Sequence, residues 1–180
     1  MPAKKKTPAR AAKPAGDHAQ FMARAYQMEL DAEARYEMLA DQMETHNNAE
    51  VAALFRKLSR IEGKHAKKIL GQMKWKSVPA LPAAFPWQGF ESPEAVPADE
   101  PHYLMQPWHA LKLALECEQR AQRYFEQVAK QKVPASVRKA ALEMAEDERE
   151  HVRLIEEWIA KVPEPEPGWD RDPDPPTYSE

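Results

Sequence analysis

Six residues carry the chemistry this sequence can offer: Glu29, Glu62, His65, Glu118, Glu148 and His151. They fall into two matched sets. Positions at three-four spacing around Glu29 read Met22, Ala25, Glu29, Ala32, Tyr36, Leu39 and Met43. Offset by 89 residues they read Leu111, Ala114, Glu118, Ala121, Phe125 and Val128. In each, one glutamate interrupts an apolar helical stripe. A second pair of stripes reads Phe55, Leu58, Glu62, His65, Ile69 and, 86 residues on, Ala141, Met144, Glu148, His151, Ile155. A Glu-x-x-His pair shares one helix face, because residues three apart are neighbours there. A carboxylate on a buried stripe must be paired or bound to a metal. Four of them facing one another repel, and a cation resolves the conflict.

These helices also place acids elsewhere, such as Asp31, Glu33, Glu37 and Glu146, so one seam glutamate alone reads equally well as a salt-bridged surface group. The matched register argues against that reading for all four. A register with Glu116 in place of Glu118 would put His109, Lys112, Gln119, Arg123 and Glu126 on the buried seam and strand several charges without partners. Tyr36 reads either as a redox or hydrogen-bonding neighbour of the metal or as core, since Phe125 fills the matching place. Asp147 reads either as support for a ligand histidine or as a surface acid. Cys117 adjoins Glu118 but points about 100° around the helix, as a buried thiol does. His46, His102 and His109 have no matching partners, and Trp75, Trp87 and Trp108 read as caps on the core beneath a crossover.

The elements that must position these residues follow from the 17 prolines. Proline costs about 3 kcal/mol inside a helix, so helices run where it is missing. Proline-free stretches span 17–78, 108–133 and 135–162, and the first divides at Thr45-His46-Asn47-Asn48. The expectation is an all-α bundle with helices at about 17–44, 48–73, 107–131 and 134–161. Short turns make two antiparallel hairpins, and a crossover at 74–106 is long enough to travel the length of the bundle. The helical domain then covers 17–161. Two tails, 1–16 rich in Ala, Lys and Pro and 162–180 rich in Pro and acids, read as disordered.

Composition narrows the function. With 43% hydrophobic residues and 31% charged, the chain can bury a core, and a net charge of −3 does not mark it as a nucleic-acid binder. Five positive charges in the first tail give only a weak case for DNA contact. One cysteine excludes an intrachain disulfide and any Cys-x-x-Cys site, and fits a reducing cytoplasm. No apolar run is long enough to span a membrane.

The chain resembles the rubrerythrin/ferritin-like di-iron carboxylate family over about 17–161. The carriers are Glu29 with Tyr36 seven residues on, Glu62-Gly63-Lys64-His65, Glu118 with Phe125 seven on, and Glu148-Arg149-Glu150-His151. The resemblance implies a ferritin-like four-helix bundle of two pseudo-repeated hairpins holding two iron ions; manganese suits the same ligands. Glu62 and Glu148 would bridge the metals, Glu29 and His65 would complete one, and Glu118 and His151 the other. Family members react reduced iron with peroxide or dioxygen, or oxidise ferrous iron. The resemblance also covers oxygenases acting on organic substrates and non-enzymatic metal-binding bundles. One cysteine cannot build the four-cysteine rubredoxin module of rubrerythrins, so an electron donor would be external. Where rubrerythrins carry a further glutamate one turn after the third-helix ligand, this chain has Ala121, leaving the plain four-glutamate, two-histidine set. By analogy the chain is expected to form a homodimer.

Overall fold

The computed structural model describes residues 18–81, 92–94, 96 and 101–172. Four helices form: α1 (His18–Thr45), α2 (Ala49–Met73), α3 (Pro107–Lys130) and α4 (Ala135–Ile159). They match the proline-free stretches closely, and no strand occurs among the described residues. α1 packs along α2 and α3 along α4, while α2 meets α3 and α1 meets α4 more sparsely. The architecture is an all-α, ferritin-like four-helix bundle of two hairpins. Among the described residues, no helix is long and apolar enough to cross a membrane.

Asn48 explains how the hairpins are registered. Its side-chain oxygen accepts from the Val51 amide at 3.4 Å and caps α2. Its side-chain amide donates to the carbonyls of Met105 at 2.7 Å and Tyr103 at 3.3 Å. The starts of α2 and α3 therefore lie together, so the chain between them has travelled the length of the bundle. Asn47, just before, takes the left-handed conformation at φ 60°, which asparagine tolerates better than most residues. Pro107 occupies the first turn of α3, where no amide is needed, and the Gln106 amide donates to His109 Nδ1 at 3.0 Å.

The core has two apolar clusters with a charged layer between them. One cluster takes Tyr36, Leu39 and Met43 from α1, Phe55 from α2, Leu111 from α3 and Ile155 from α4. The other takes Met22 and Met28 from α1, Ile69 from α2, Phe125 from α3, and Ala141 and Met144 from α4. Each helix thus changes from one cluster to the other at its seam glutamate. Trp75 packs on the second cluster. Trp108 stands edge-on to His109, with the Lys112 ammonium 5.5 Å from its ring centre. Trp87 lies outside the described residues.

The segment after α4 differs from the expected disordered tail as far as residue 172. Val162 and Trp169 pack against the first cluster. The Trp169 ring lies 3.8 Å from that of His109 and meets His102 edge-on, and the Tyr103 hydroxyl donates to Asp172. His102 and His109, expected to be structural or exposed, thus have a structural role and anchor this segment. A single tryptophan in a proline-rich, acidic stretch carries no periodic signal, so the docking was not legible. The tails 1–16 and 173–180 lie outside the described residues.

Phe125 is fully buried and meets Phe21 edge-to-face with ring centres 6.0 Å apart. Phe125→Ala should cost about 3–5 kcal/mol of stability, because the cavity is added to the lost transfer energy. Urea denaturation of chelator-treated protein checks this, and a loss below 1 kcal/mol would mean the cluster is not close-packed.

Candidate metal centre

The seam glutamates meet midway along the bundle. Glu29, Glu62, Glu118 and Glu148 are each 1% exposed, among the most deeply buried side chains in the molecule. The register on α3 is decided by burial: Glu118 faces inward and Glu116 is exposed. His65 and His151 are partly buried and stack face to face, with ring centres 4.3 Å apart and planes within 8°.

The two halves have nearly the same geometry, as two copies of one hairpin should. His65 Nδ1 lies 3.1 Å from Glu62 Oε2 and 3.6 Å from Glu29 Oε2. His151 Nδ1 lies 3.1 Å from Glu148 Oε2 and 3.3 Å from Glu118 Oε2. Glu29, Glu62 and His65 offer ligand atoms within 4.8 Å of one another, and so do Glu118, Glu148 and His151. All six residues singled out in the sequence are brought together.

A seventh group joins them. Glu94, from the crossover, is fully buried, and its carboxylate forms a third such cluster with Glu62 and Glu118. The six-residue set is therefore extended by one residue that the sequence reasoning missed. Glu94 sits in Ser92-Pro93-Glu94, outside any helical period, and no repeat partner marks it.

The electrostatics of this layer are unbalanced without a cation. Burial is the main cause that pushes Glu29 up to about 7, with Glu148 and Glu62 adding to it and His65 opposing it. Burial also holds Glu118 and Glu94 well above the ordinary carboxylate range, and Glu94 is raised further by Glu29, Glu148, Glu62 and Glu118. Burial works against the imidazolium of His65, but its contacts with Glu29 and Glu62 outweigh it and raise the pKa to about 9. The same balance, set by Glu118 and Glu148, lifts His151 to about 11.

Several buried oxygens have no hydrogen-bond partner: Glu29 Oε2, Glu148 Oε1 and both oxygens of Glu94. Buried polar atoms without partners are rare in native proteins and ask for an explanation. Carboxylate oxygens and imidazole nitrogens are the donors that iron and manganese take, so these residues fit a pair of such ions.

A cleft of about 280 Å³ reaches this layer from the surface. Glu29, His65, Glu148 and His151 line it, together with Lys68, Gln72, Asp147 and Glu150. Asp147 accepts from Lys68 Nζ at 2.6 Å across α2 and α4, so it serves as a surface ion pair. Tyr36 is buried, stacks on Phe55 with ring centres 6.0 Å apart, and leaves its hydroxyl without a hydrogen-bond partner. Burial raises that hydroxyl's pKa well above its ordinary value, and Cys117, Glu118, Glu62 and Glu94 add to the effect. Tyr36 thus belongs to the core while lying within electrostatic reach of the carboxylates. Cys117 is buried and accepts from Arg120 at 3.3 Å.

The chain is similar to known proteins in sequence and fold. The profile of the Rubrerythrin family matches residues 20–81, and that of the Ferritin-like domain matches 108–179. An uncharacterised conserved protein from Magnetospirillum magnetotacticum MS-1, known from its crystal structure, is 34% identical. The match covers 82% of this chain and 97% of that one, with a TM-score of 0.61. No protein of curated function matches the chain.

Metal binding should release protons. At neutral pH the metal-free centre keeps His65 and His151 protonated, since both folded pKa values lie above the ordinary value of 6.5. The stability those protons give is complete below pH 6.5 and is lost as pH rises through about 9 and then about 11. A metal needs neutral imidazole and ionised carboxylate, so affinity should climb as pH rises from about 6 through about 9 and on toward about 11, with about one proton or more released per ion. Calorimetric titrations in buffers of different ionisation enthalpy measure this. Affinity independent of pH would contradict the protonation assigned to the histidines.

Proposed function

This chain belongs to the rubrerythrin/ferritin-like family, and we propose that it is a di-iron oxidoreductase in which a reduced metal pair reacts with peroxide or dioxygen. The observation that carries this reading is the doubled Glu/Glu/His cluster, whose buried carboxylates include unpartnered oxygens on Glu29 and Glu148. Glu29 and His65 would hold one ion and Glu118 and His151 the other. Glu62 would bridge, since it shares one cluster with Glu29 and His65 and another with Glu94 and Glu118. Glu148 would bridge from the opposite hairpin, in line with its equivalence to Glu62 in the repeat.

When bound, iron supplies electrons to the oxidant. The protein's own residues do the rest. The two apolar clusters close the layer above and below. The cleft admits small molecules past Lys68 and Asp147. The Tyr36 hydroxyl, which keeps its proton, would donate a hydrogen bond toward the layer. Electrons return from an external donor.

The cleft favours this reading over an oxygenase. Charged side chains, Lys68, Asp147 and Glu150, line its outer part. That suits a small polar oxidant.

Anaerobic ferrous titration should saturate at about two irons per chain, the number that the ferritin-like ligand pattern holds. Glu118→Ala should lose one iron preferentially, because one terminal ligand is removed while both bridging carboxylates stay. Glu116→Ala, on the exposed face, should bind iron normally. Peroxide should then oxidise the reduced wild-type centre faster than the Glu118→Ala centre. A wild-type chain that takes up no iron, or a damaging Glu116→Ala with a silent Glu118→Ala, would overturn the assignment.

A further inference from the structure

The segment between α2 and α3 does more than connect. Ser92, Glu94 and Val96, alternate residues, are all buried, so this stretch lays one edge into the bundle. Val96 joins the first apolar cluster. Arg120 of α3 holds the stretch in place, its Nε donating to the Pro93 carbonyl at 2.9 Å. The side chain that follows Pro93 is Glu94, 0% exposed, with neither carboxylate oxygen hydrogen-bonded.

A fully buried carboxylate with no partner is a poor structural element. Burying a carboxyl without hydrogen bonds costs free energy that an alanine there would avoid. Val96 in the first apolar cluster and Arg120 on the Pro93 carbonyl seat the segment without it. What the site gives Glu94 instead is proximity to Glu62 and Glu118, with ligand atoms of all three within 4.8 Å of one another. Like charges gathered at that range repel, and a shared cation reverses the sign of the interaction. Metal-oxygen bonds of roughly 2.1 Å bring oxygens about 3–4 Å apart, so small side-chain movements would close the set around one ion.

We infer that Glu94 is a metal ligand delivered by the crossover, binding the ion on the Glu118-His151 side of the pair and tying the 92–96 stretch to metal occupancy. This rests on the metal-binding reading above and adds to it a break in the twofold repeat. Among the described residues no residue of the first hairpin forms an equivalent cluster, and the loop joining each hairpin is short. The two ions are therefore held by unequal ligand sets: two glutamates shared by both, one glutamate and one histidine on each side, and Glu94 on one side only. Arg120 is a positioning residue for it, acting through the Pro93 carbonyl.

The test uses the full chain and three variants, Glu94→Ala, Glu94→Gln and Arg120→Ala. Anaerobic Mn(II) titration is followed by calorimetry and by loss of the free-ion EPR signal. Thermal melts are taken with chelator and with saturating Mn(II). For Glu94→Ala, one of the two ions should bind at least about tenfold more weakly, and the other within about threefold of wild type. Glu94→Gln should fall between, since an amide oxygen can ligate without charge. Arg120→Ala should weaken the same ion by less. The chelator-treated melting temperature of the Glu94 variants should equal or exceed that of wild type, while their gain on adding Mn(II) shrinks. Wild-type binding of both ions by both Glu94 variants would overturn the inference and leave the metal centre standing. A lowered melting temperature in chelator with an unchanged gain from Mn(II) would do the same, and would make Glu94 structural. A wild-type chain that binds no Mn(II) and no Fe(II) would overturn the inference and the metal centre together.

Discussion

Everything in this bundle is arranged around a layer of carboxylates that cannot be left as it is. Five glutamates and two histidines share the middle of a helical core, and several of their oxygens meet no donor. The desolvation of each ionised group costs several kcal/mol, far more than a protein of this size can lose repeatedly from its margin. The metal-free centre relieves part of the conflict with protons, on His65 and His151 and on carboxyls held above their ordinary range. Two divalent cations would relieve more of it, because they would satisfy charge and orphaned oxygens together. Folding and metal binding would then be linked through that one layer.

The rest of the sequence can be understood as what this layer requires. Apolar residues close it from both ends, and the two clusters keep the helices in register so that glutamates from different helices arrive at one height. Gly63, between Glu62 and His65, marks a close approach: a side chain there would meet Glu33 of α1 at 2.3 Å. The surface clasps matter less. Arg56 binds Glu37, Asp41 and Glu44 across the first hairpin, but the acids are exposed, and such pairs contribute little to stability.

Much of this was legible in the sequence because helices write their contacts locally. Proline spacing set most helix limits to within a few residues, though not the end of α2, and Asn48 marked the turn. The doubled stripe exposed the six seam residues because a carboxylate in an apolar period is conspicuous, and twice in register more so. Two features escaped for one reason. Glu94 and Trp169 lie in proline-rich stretches with no period, and each is placed by contacts far away in the chain. Without a regular backbone, spacing says nothing about which side chain points inward.

That difference also explains where a repeat protein can become asymmetric. Any change on a paired helix faces the constraint that its counterpart imposes on packing and charge. The crossover has no counterpart, so a ligand placed there alters one half of the centre without disturbing the helical register of either hairpin. Glu94 lies in that segment, held by a backbone carbonyl contact to Arg120 and flanked by Ser92 and Val96 in the core. Two nearly superposable half-sites would give two ions of similar affinity. One added carboxylate on one side would make them differ.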